Sequence, residues 1–261
     1  MRCAAAVQIM ATRTTGLGDQ IRAALGGLGV AVLATVLSIL TALPVVFVAD
    51  VLSSSLAFAV LFVASYVGYA LAGLWALRRW DGRRPSHGVR LPSVRDLGVT
   101  VGGIVGLFGL LAMVGVLVDA FGLPTTPHNL FEPGLNPRLL LVLVPLVLFV
   151  NAPVEEFLFR YVIQRHLYDT FSRPGAVVVT SLVFMVAHVP AYYNPVWSAM
   201  LVSLVVMFVG SCVFGYVYAV TDNLLVPIAV HGAFNAIQAL LFYLYITGTR
   251  TLEIGVPHAF V

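Results

Sequence analysis

An all-α bundle of membrane-spanning helices is the fold that this sequence predicts, on three observations. Of 261 residues, 60% are apolar and only 10% are charged, whereas an ordinary soluble domain carries about 25% charged residues. Mean hydropathy is +1.00. The apolar residues are gathered into runs, and a helix needs roughly 20 such residues to cross about 30 Å of hydrocarbon. A soluble globular domain is thereby excluded, and so is a disordered chain, which stays unfolded because it has too little apolar surface to bury.

Seven runs read as spans, at 26–49, 55–77, 98–121, 138–168, 174–190, 196–220 and 223–247. The first exceeds the apolar core of about 7 to 15 residues found in a cleaved signal sequence, so it is expected to remain as a helix. The fourth is longer than a membrane requires and contains Pro145, which predicts a tilt or kink. Between the second and third spans, about 78 to 97, lies the largest polar stretch, read as a loop. No internal repeat is visible. The organisation predicted is a cytoplasmic N-terminal segment over 1–25, one transmembrane domain over 26–247 and a tail over 248–261.

All 14 basic residues are Arg, and the formal charge is +3. Apart from Arg160 inside the fourth run, they fall at or beside the span ends: Arg2, Arg13, Arg22, Arg78, Arg79, Arg83, Arg84, Arg90, Arg95, Arg165 and Arg173 on one side, Arg138 and Arg250 on the other. Positive charge is retained in the cytoplasm, which predicts a multi-pass protein of the plasma membrane with its N-terminus inside and its C-terminus outside. Clustered Arg beside apolar runs reads as topology, with the lipid bilayer and not nucleic acid as partner. Cys3 and Cys212 show neither a C-x-x-C pair nor metal-ligand spacing.

Ionisable and amide groups inside apolar runs cost free energy and mark function by default. Apart from Asp50 and Asp119 near span ends, they lie in the second half: Asn151, Glu155, Glu156 and Arg160 on the fourth span, His188 on the fifth, and His231, Asn235 and Gln238 on the seventh. The apolar residues of 139–150 supply roughly 3 to 6 kcal/mol, while three central charges cost about 2.5 to 3.5 kcal/mol each, so the charges must face the bundle interior, a water-filled cavity or the membrane edge, and pair. Residues four apart share a helix face. Asn151 therefore lies beside Glu155, and Glu156 beside Arg160, with the two glutamates about 100° apart. Glu156 has a counter-ion on its own helix and Glu155 has none, which suits Glu155 to acid/base work. His231, Asn235 and Gln238 form one polar stripe. Alone, His188 reads equally well as an interhelical hydrogen-bond partner, Asn235 or Gln238 reads rather as a polar link between helices, and Glu156 with Arg160 reads as a structural ion pair; the set of Glu155, His188, His231 and Asn235 on three helices reads as catalytic.

Three motifs appear in order: Glu155-Glu156-Phe157-Leu158-Phe159-Arg160, Phe184-Met185-Val186-Ala187-His188 and His231-Gly232-Ala233-Phe234-Asn235. This spelling resembles the E-E-x-x-x-R, F-x-x-x-H and H-x-x-x-N motifs of the CAAX protease and bacteriocin-processing (CPBP, or Abi) family, over about residues 138–240. The resemblance, strongest to the type II CAAX prenyl endopeptidases, implies an intramembrane endopeptidase acting on a membrane-associated peptide or protein substrate, prenylated in the CAAX type. It implies that Glu155 and His188 activate a water while His231 and Asn235 stabilise the oxyanion, with Phe184, Glu156, Arg160 and Asn151 in support. Two departures stand out. Tyr161 follows the motif arginine where many members have Gly, and little sequence remains after the seventh span for the eighth helix of some members.

Glu155, His188 and His231 are zinc ligands by type, so Zn2+ is a candidate cofactor, although hydrolysis is equally explained without metal. Rival readings are a catalytically silent scaffold that keeps the family fold and a proton-coupled transporter. The transporter fits poorly, because repeat-built transporters carry polar groups in both halves and this first half is bare of them. An aspartyl intramembrane protease is excluded because Gly16-Leu17-Gly18-Asp19 precedes every predicted span.

Overall fold

The structure is a computed structural model and describes residues 16–80, 88–128 and 136–248. Among these it is helical, without strands: α1 Leu17–Val46, α2 Ser54–Trp80, α3 Val94–Phe121, α4 Pro137–Leu167, α5 Arg173–Ala187, α6 Trp197–Thr221 and α7 Leu225–Ile246. All but α5 are long and apolar enough to cross a membrane. The molecule is apolar outside and encloses a group of polar side chains within an apolar core. Val32, Ile39 and Leu40 of α1 and Val101 and Val105 of α3 are exposed, whereas Asn151, Glu155, Glu156, Arg160, Gln164 and His231 are buried. Lipid explains the first arrangement, since water would not tolerate so large an apolar surface.

Two span boundaries need correction. The first helix begins at Leu17 rather than at 26; its opening turns carry Asp19 and Arg22, exposed and 3.5 Å apart, so they project beyond the apolar run. Asp19 thus lies in a helix, at an exposed bundle end rather than in a preceding tail. The fifth run, expected over 174–190, is helical only to Ala187. Fifteen residues reach about 22 Å at 1.5 Å per residue, short of the bilayer core. Pro190 accounts for the stop: it disfavours helical backbone at Val189, and a 3₁₀ turn follows over Val189–Tyr192.

The interruption expected in the fourth span takes the form of two π-helical stretches, Val147–Asn151 and Phe157–Gln164, around the α-helical turn Ala152–Glu156. Pro145 lies two residues ahead of the first stretch and Pro153 opens the turn between them. Neither proline can supply a helix hydrogen bond, and π turns of this kind are concentrated at functional sites.

Close helix approach depends on missing side chains. A Cβ on Gly68 of α2 would stand 2.3 Å from the backbone of Leu37 and Ser38 in α1, and one on Gly73 would stand 2.6 Å from the Phe157 ring of α4. Small residues at such crossings let helices pack where lipid offers no hydrophobic drive. Behind them Ala31, Ala34, Ala72, Leu158, Phe159 and Ile163 form a buried core.

Polar contacts tie the two bundle ends. At one, Gln20 Nε2 donates to the Thr170 carbonyl at 3.2 Å, Arg90 Nη2 to the Thr221 carbonyl at 3.1 Å, and Leu224 N–H to the Gly88 carbonyl at 2.8 Å. Arg173 pairs with Asp222 at 3.0 Å there. At the other, Thr126 N–H donates to Ser203 Oγ at 3.0 Å and Asn194 Nδ2 to Thr126 Oγ1 at 3.2 Å. Gly122, with φ +58°, turns the chain out of α3 towards this second end.

Candidate active site

A cavity of about 260 Å³ runs inward from the second end, between α2, α3, α4, α6 and α7. Glu155, His188, His231, Asn235, Asn151 and Gln238 all line it. The predicted set is therefore brought to one place from three helices.

Glu155 is buried on the Ala152–Glu156 turn. Its Oε1 accepts hydrogen bonds from Asn151 Nδ2 at 2.7 Å and from Tyr66 O–H at 2.9 Å. Asn151, four residues back, lies on the same face as the sequence required. Tyr66 comes from α2, in the half of the chain read as bare, and corrects that reading. The carboxylate thus keeps Oε2 directed towards His231 Nε2, 3.9 Å away. Asn235 Nδ2 donates to Asn151 Oδ1 at 3.1 Å, so one relay of amides connects α7 to the Glu155 carboxylate.

Glu156 and Arg160 form the expected i, i+4 pair, Nε to Oε2 at 3.0 Å, both completely buried. The pair reaches further than its own helix. Glu156 Oε1 accepts from His231 Nδ1 at 2.8 Å, and Arg160 Nη2 donates to Ser211 Oγ of α6 at 2.8 Å. Glu156 therefore orients a cavity imidazole as well as neutralising an arginine, the arrangement by which a carboxylate fixes a ring and its tautomer.

Each imidazole is clamped by rings. His231 stacks on Phe214 with centroids 4.5 Å apart, and His188 stacks on Phe184 at 4.2 Å. Phe184 also lies under the Arg160 guanidinium at 5.5 Å. His188 ends α5, and its Nδ1 is 2.8 Å from the Phe184 carbonyl. A carbonyl can only accept, so Nδ1 carries the proton and Nε2 of the neutral ring is left as the acceptor.

Tyr161, the departure from the motif, does not line the cavity. Its ring stacks against Phe157 at 5.9 Å and lies under Arg165 at 4.9 Å, towards the first bundle end. Cys212 is a free thiol, and Cys3 lies outside the described residues. Glu155, His188 and His231 are zinc-type donors, yet among the described residues no three His, Cys, Asp or Glu side chains stand close enough together to hold a metal ion. Sequence reasoning missed Tyr66, Ser211 and Phe214; the signal present was Tyr66 and Tyr69, two hydroxyl-bearing rings three residues apart in an otherwise apolar helix.

Chemically, a buried carboxylate, an imidazole with an accepting Nε2, a second imidazole held by another carboxylate and a neighbouring amide are groups able to take a proton from water and to donate hydrogen bonds to a developing negative charge. Residues 137–237 match the family model described as type II CAAX prenyl endopeptidase Rce1-like. The matched segment runs from the start of α4 into α7, so it covers the helices that carry Glu155, His188, His231 and Asn235 and makes that part of the chain similar to CAAX-type intramembrane proteases. Searches of curated proteins and of solved structures returned no significant match.

Proposed function

We propose that this protein is an intramembrane endopeptidase that hydrolyses a peptide bond of a membrane-associated substrate with water activated by Glu155 and His188. The observation that carries the reading is the position of Glu155: buried, held on one oxygen by Tyr66 and Asn151, and directed at a cavity that His188 and His231 share. A general base needs this combination of fixed geometry and access to the reacting proton.

In the proposed mechanism Glu155, assisted by the accepting Nε2 of His188, takes a proton from water as its oxygen attacks the scissile carbonyl. Negative charge then develops on the carbonyl oxygen. Asn235 Nδ2 and His231 Nε2 supply donors there; His231 can donate only in its doubly protonated form, with Nδ1–H held by Glu156 and Nε2–H directed at the oxyanion. Such preorganised donors usually make the largest single contribution to rate. The proton is finally passed to the leaving amine, and two peptides are released. Because the three zinc-type donors are not gathered around one point, no step is routed through a metal.

We further infer a plasma-membrane location with the N-terminus cytoplasmic, supported by the Arg asymmetry. The direct test of activity is cleavage of quenched fluorescent peptides by the detergent-purified protein, with and without chelator. The reading expects cleavage that chelation leaves intact. Chelator-sensitive cleavage restored by Zn2+ would overturn the metal-free mechanism, and no cleavage across a broad peptide set would favour the scaffold.

A further inference from the structure

We propose that Gln238 is a substrate-binding residue of the site, whose side-chain amide pairs with a main-chain peptide group of the bound peptide one or two residues from the scissile bond. The inference rests on the proteolytic reading above for the peptide nature of the ligand, but its geometry stands apart from it. His231, Asn235 and Gln238 form one stripe on α7, and all three line the cavity. The proposed mechanism uses the first two and leaves the third without a task.

An amide inside a membrane helix ordinarily hydrogen-bonds to a neighbouring helix. The other amides of the cavity lining do so: Asn151 Nδ2 donates to Tyr66 and Glu155, and Asn235 Nδ2 donates to Asn151. Away from the cavity, the buried Gln164 donates through Nε2 to the Gly215 carbonyl of α6. Gln238 differs from all of them. Among the described residues its side chain has no hydrogen-bond partner, and it stands in the cavity wall. Nor is it at the helix end, because α7 continues to Ile246, about 12 Å further on at 1.5 Å per residue. The amide is therefore carried inside the bundle with both its donor and its acceptor capacity unused.

The walls around it say what can use that capacity. Phe62 of α2, Leu143 of α4 and Phe242 of α7 line the cavity and pack in one apolar cluster with Ala239, the residue after Gln238. They offer a peptide apolar surface but no hydrogen bond, and a main-chain N–H or C=O buried without a partner is costly. A carboxamide complements a peptide group: Oε1 accepts from its N–H while Nε2 donates to its C=O. The register follows from helix geometry. Gln238 lies about 4.5 Å beyond Asn235 along α7, and an extended chain advances about 3.3 Å per residue. With the scissile carbonyl held at Asn235, a main chain laid along this face brings the peptide group one or two residues away opposite Gln238.

The test is a cycle between protein and ligand. The probe is a fluorescein-labelled peptide ending in S-farnesylated Cys-Val-Leu-Ala, in which each peptide N–H flanking the scissile bond is replaced in turn by an ester oxygen. The ester removes the donor and keeps the shape. Binding is read by fluorescence anisotropy on detergent-purified Glu155→Gln, in which cleavage is suppressed, and on the same protein carrying Gln238→Leu. The proposal expects an ester one or two residues from the scissile bond to weaken binding about fivefold to a hundredfold, as loss of a buried hydrogen-bond partner does. Gln238→Leu should weaken binding of the all-amide peptide to a similar degree, and the same ester should then cost nothing further. Absence of binding, or equal ester losses in the two proteins, would overturn the assignment. A link between helices would show instead as a lower unfolding temperature of peptide-free Gln238→Leu with the ester losses unmoved. Cleavage of the all-amide peptide by the unaltered protein is measured beside it. Binding without cleavage counts against the proteolytic reading alone, and cleavage with equal ester losses counts against Gln238 alone.

Discussion

Tyr66 shows how much of the proposed centre rests on a side chain with no charge. Its hydroxyl donates to Glu155 at 2.9 Å and accepts from Asn151 at 2.6 Å. A hydrogen bond to a charged group is worth about 1.5 to 3 kcal/mol, so Tyr66→Phe should lower kcat roughly tenfold to a hundredfold with little change in KM. A KM effect alone would mean that Tyr66 touches substrate instead. Removing Asn235 should have the larger effect: Asn235→Ala is expected to cost about 2.7 to 4 kcal/mol in the transition state, read as a fall in kcat. Glu155, Glu156, Arg160, His188 and His231 were legible in the sequence because an ionisable group in an apolar run must be paired inside the bundle. Tyr66 and Ser211 were not, because an aromatic hydroxyl or a serine is tolerated in a membrane helix without a partner. Their partners lie 89 and 51 residues away, beyond any spacing argument.

On the scale of one element, α4 holds the chemistry through its irregular turns. The spacing of Asn151, Glu155, Glu156 and Arg160 correctly implied two pairs, but it gave Glu156 a single partner. The structure gives it two, and Arg160 reaches Ser211 as well. Replacing both members of an isolated buried pair with apolar residues can be nearly neutral. Here Glu156→Leu with Arg160→Leu leaves His231 Nδ1–H and the Ser211 hydroxyl without their partners, at about 1 to 3 kcal/mol each. A double-mutant cycle on thermal unfolding in detergent should therefore show coupling between the two sites but incomplete recovery. Simple additivity would mean that they act independently. The α1–α2 crossing is as sensitive, since the space for any side chain at Gly68 is filled by the backbone of Leu37 and Ser38. Gly68→Leu should reduce folded yield strongly, whereas Gly109→Ala, at a glycine with open space around it, should not. The ends of α1 and α5 were the least legible boundaries: hydropathy marks where a helix leaves lipid, not where it stops being a helix.

Viewed whole, the molecule separates its tasks between two ends. Arginines, their aspartate partners and backbone carbonyls close one end, while a cavity lined by rings and amides leads from the other to the buried carboxylates. A periplasmic or extracellular reporter fused after residue 248 should be active, and a cytoplasmic one silent, if the Arg asymmetry sets the orientation. The general fold was legible because composition and run length bound it tightly. The common cavity was not, since sequence places polar residues on helices but does not say which helices meet. The most direct test of the central claim is peptide cleavage by purified Glu155→Gln beside the unaltered protein, with equal thermal stability in detergent as the control for folding. The substitution keeps the shape of the side chain and removes its basicity, so kcat should fall by about 10² to 10⁴. Undiminished turnover by the folded variant would contradict the account.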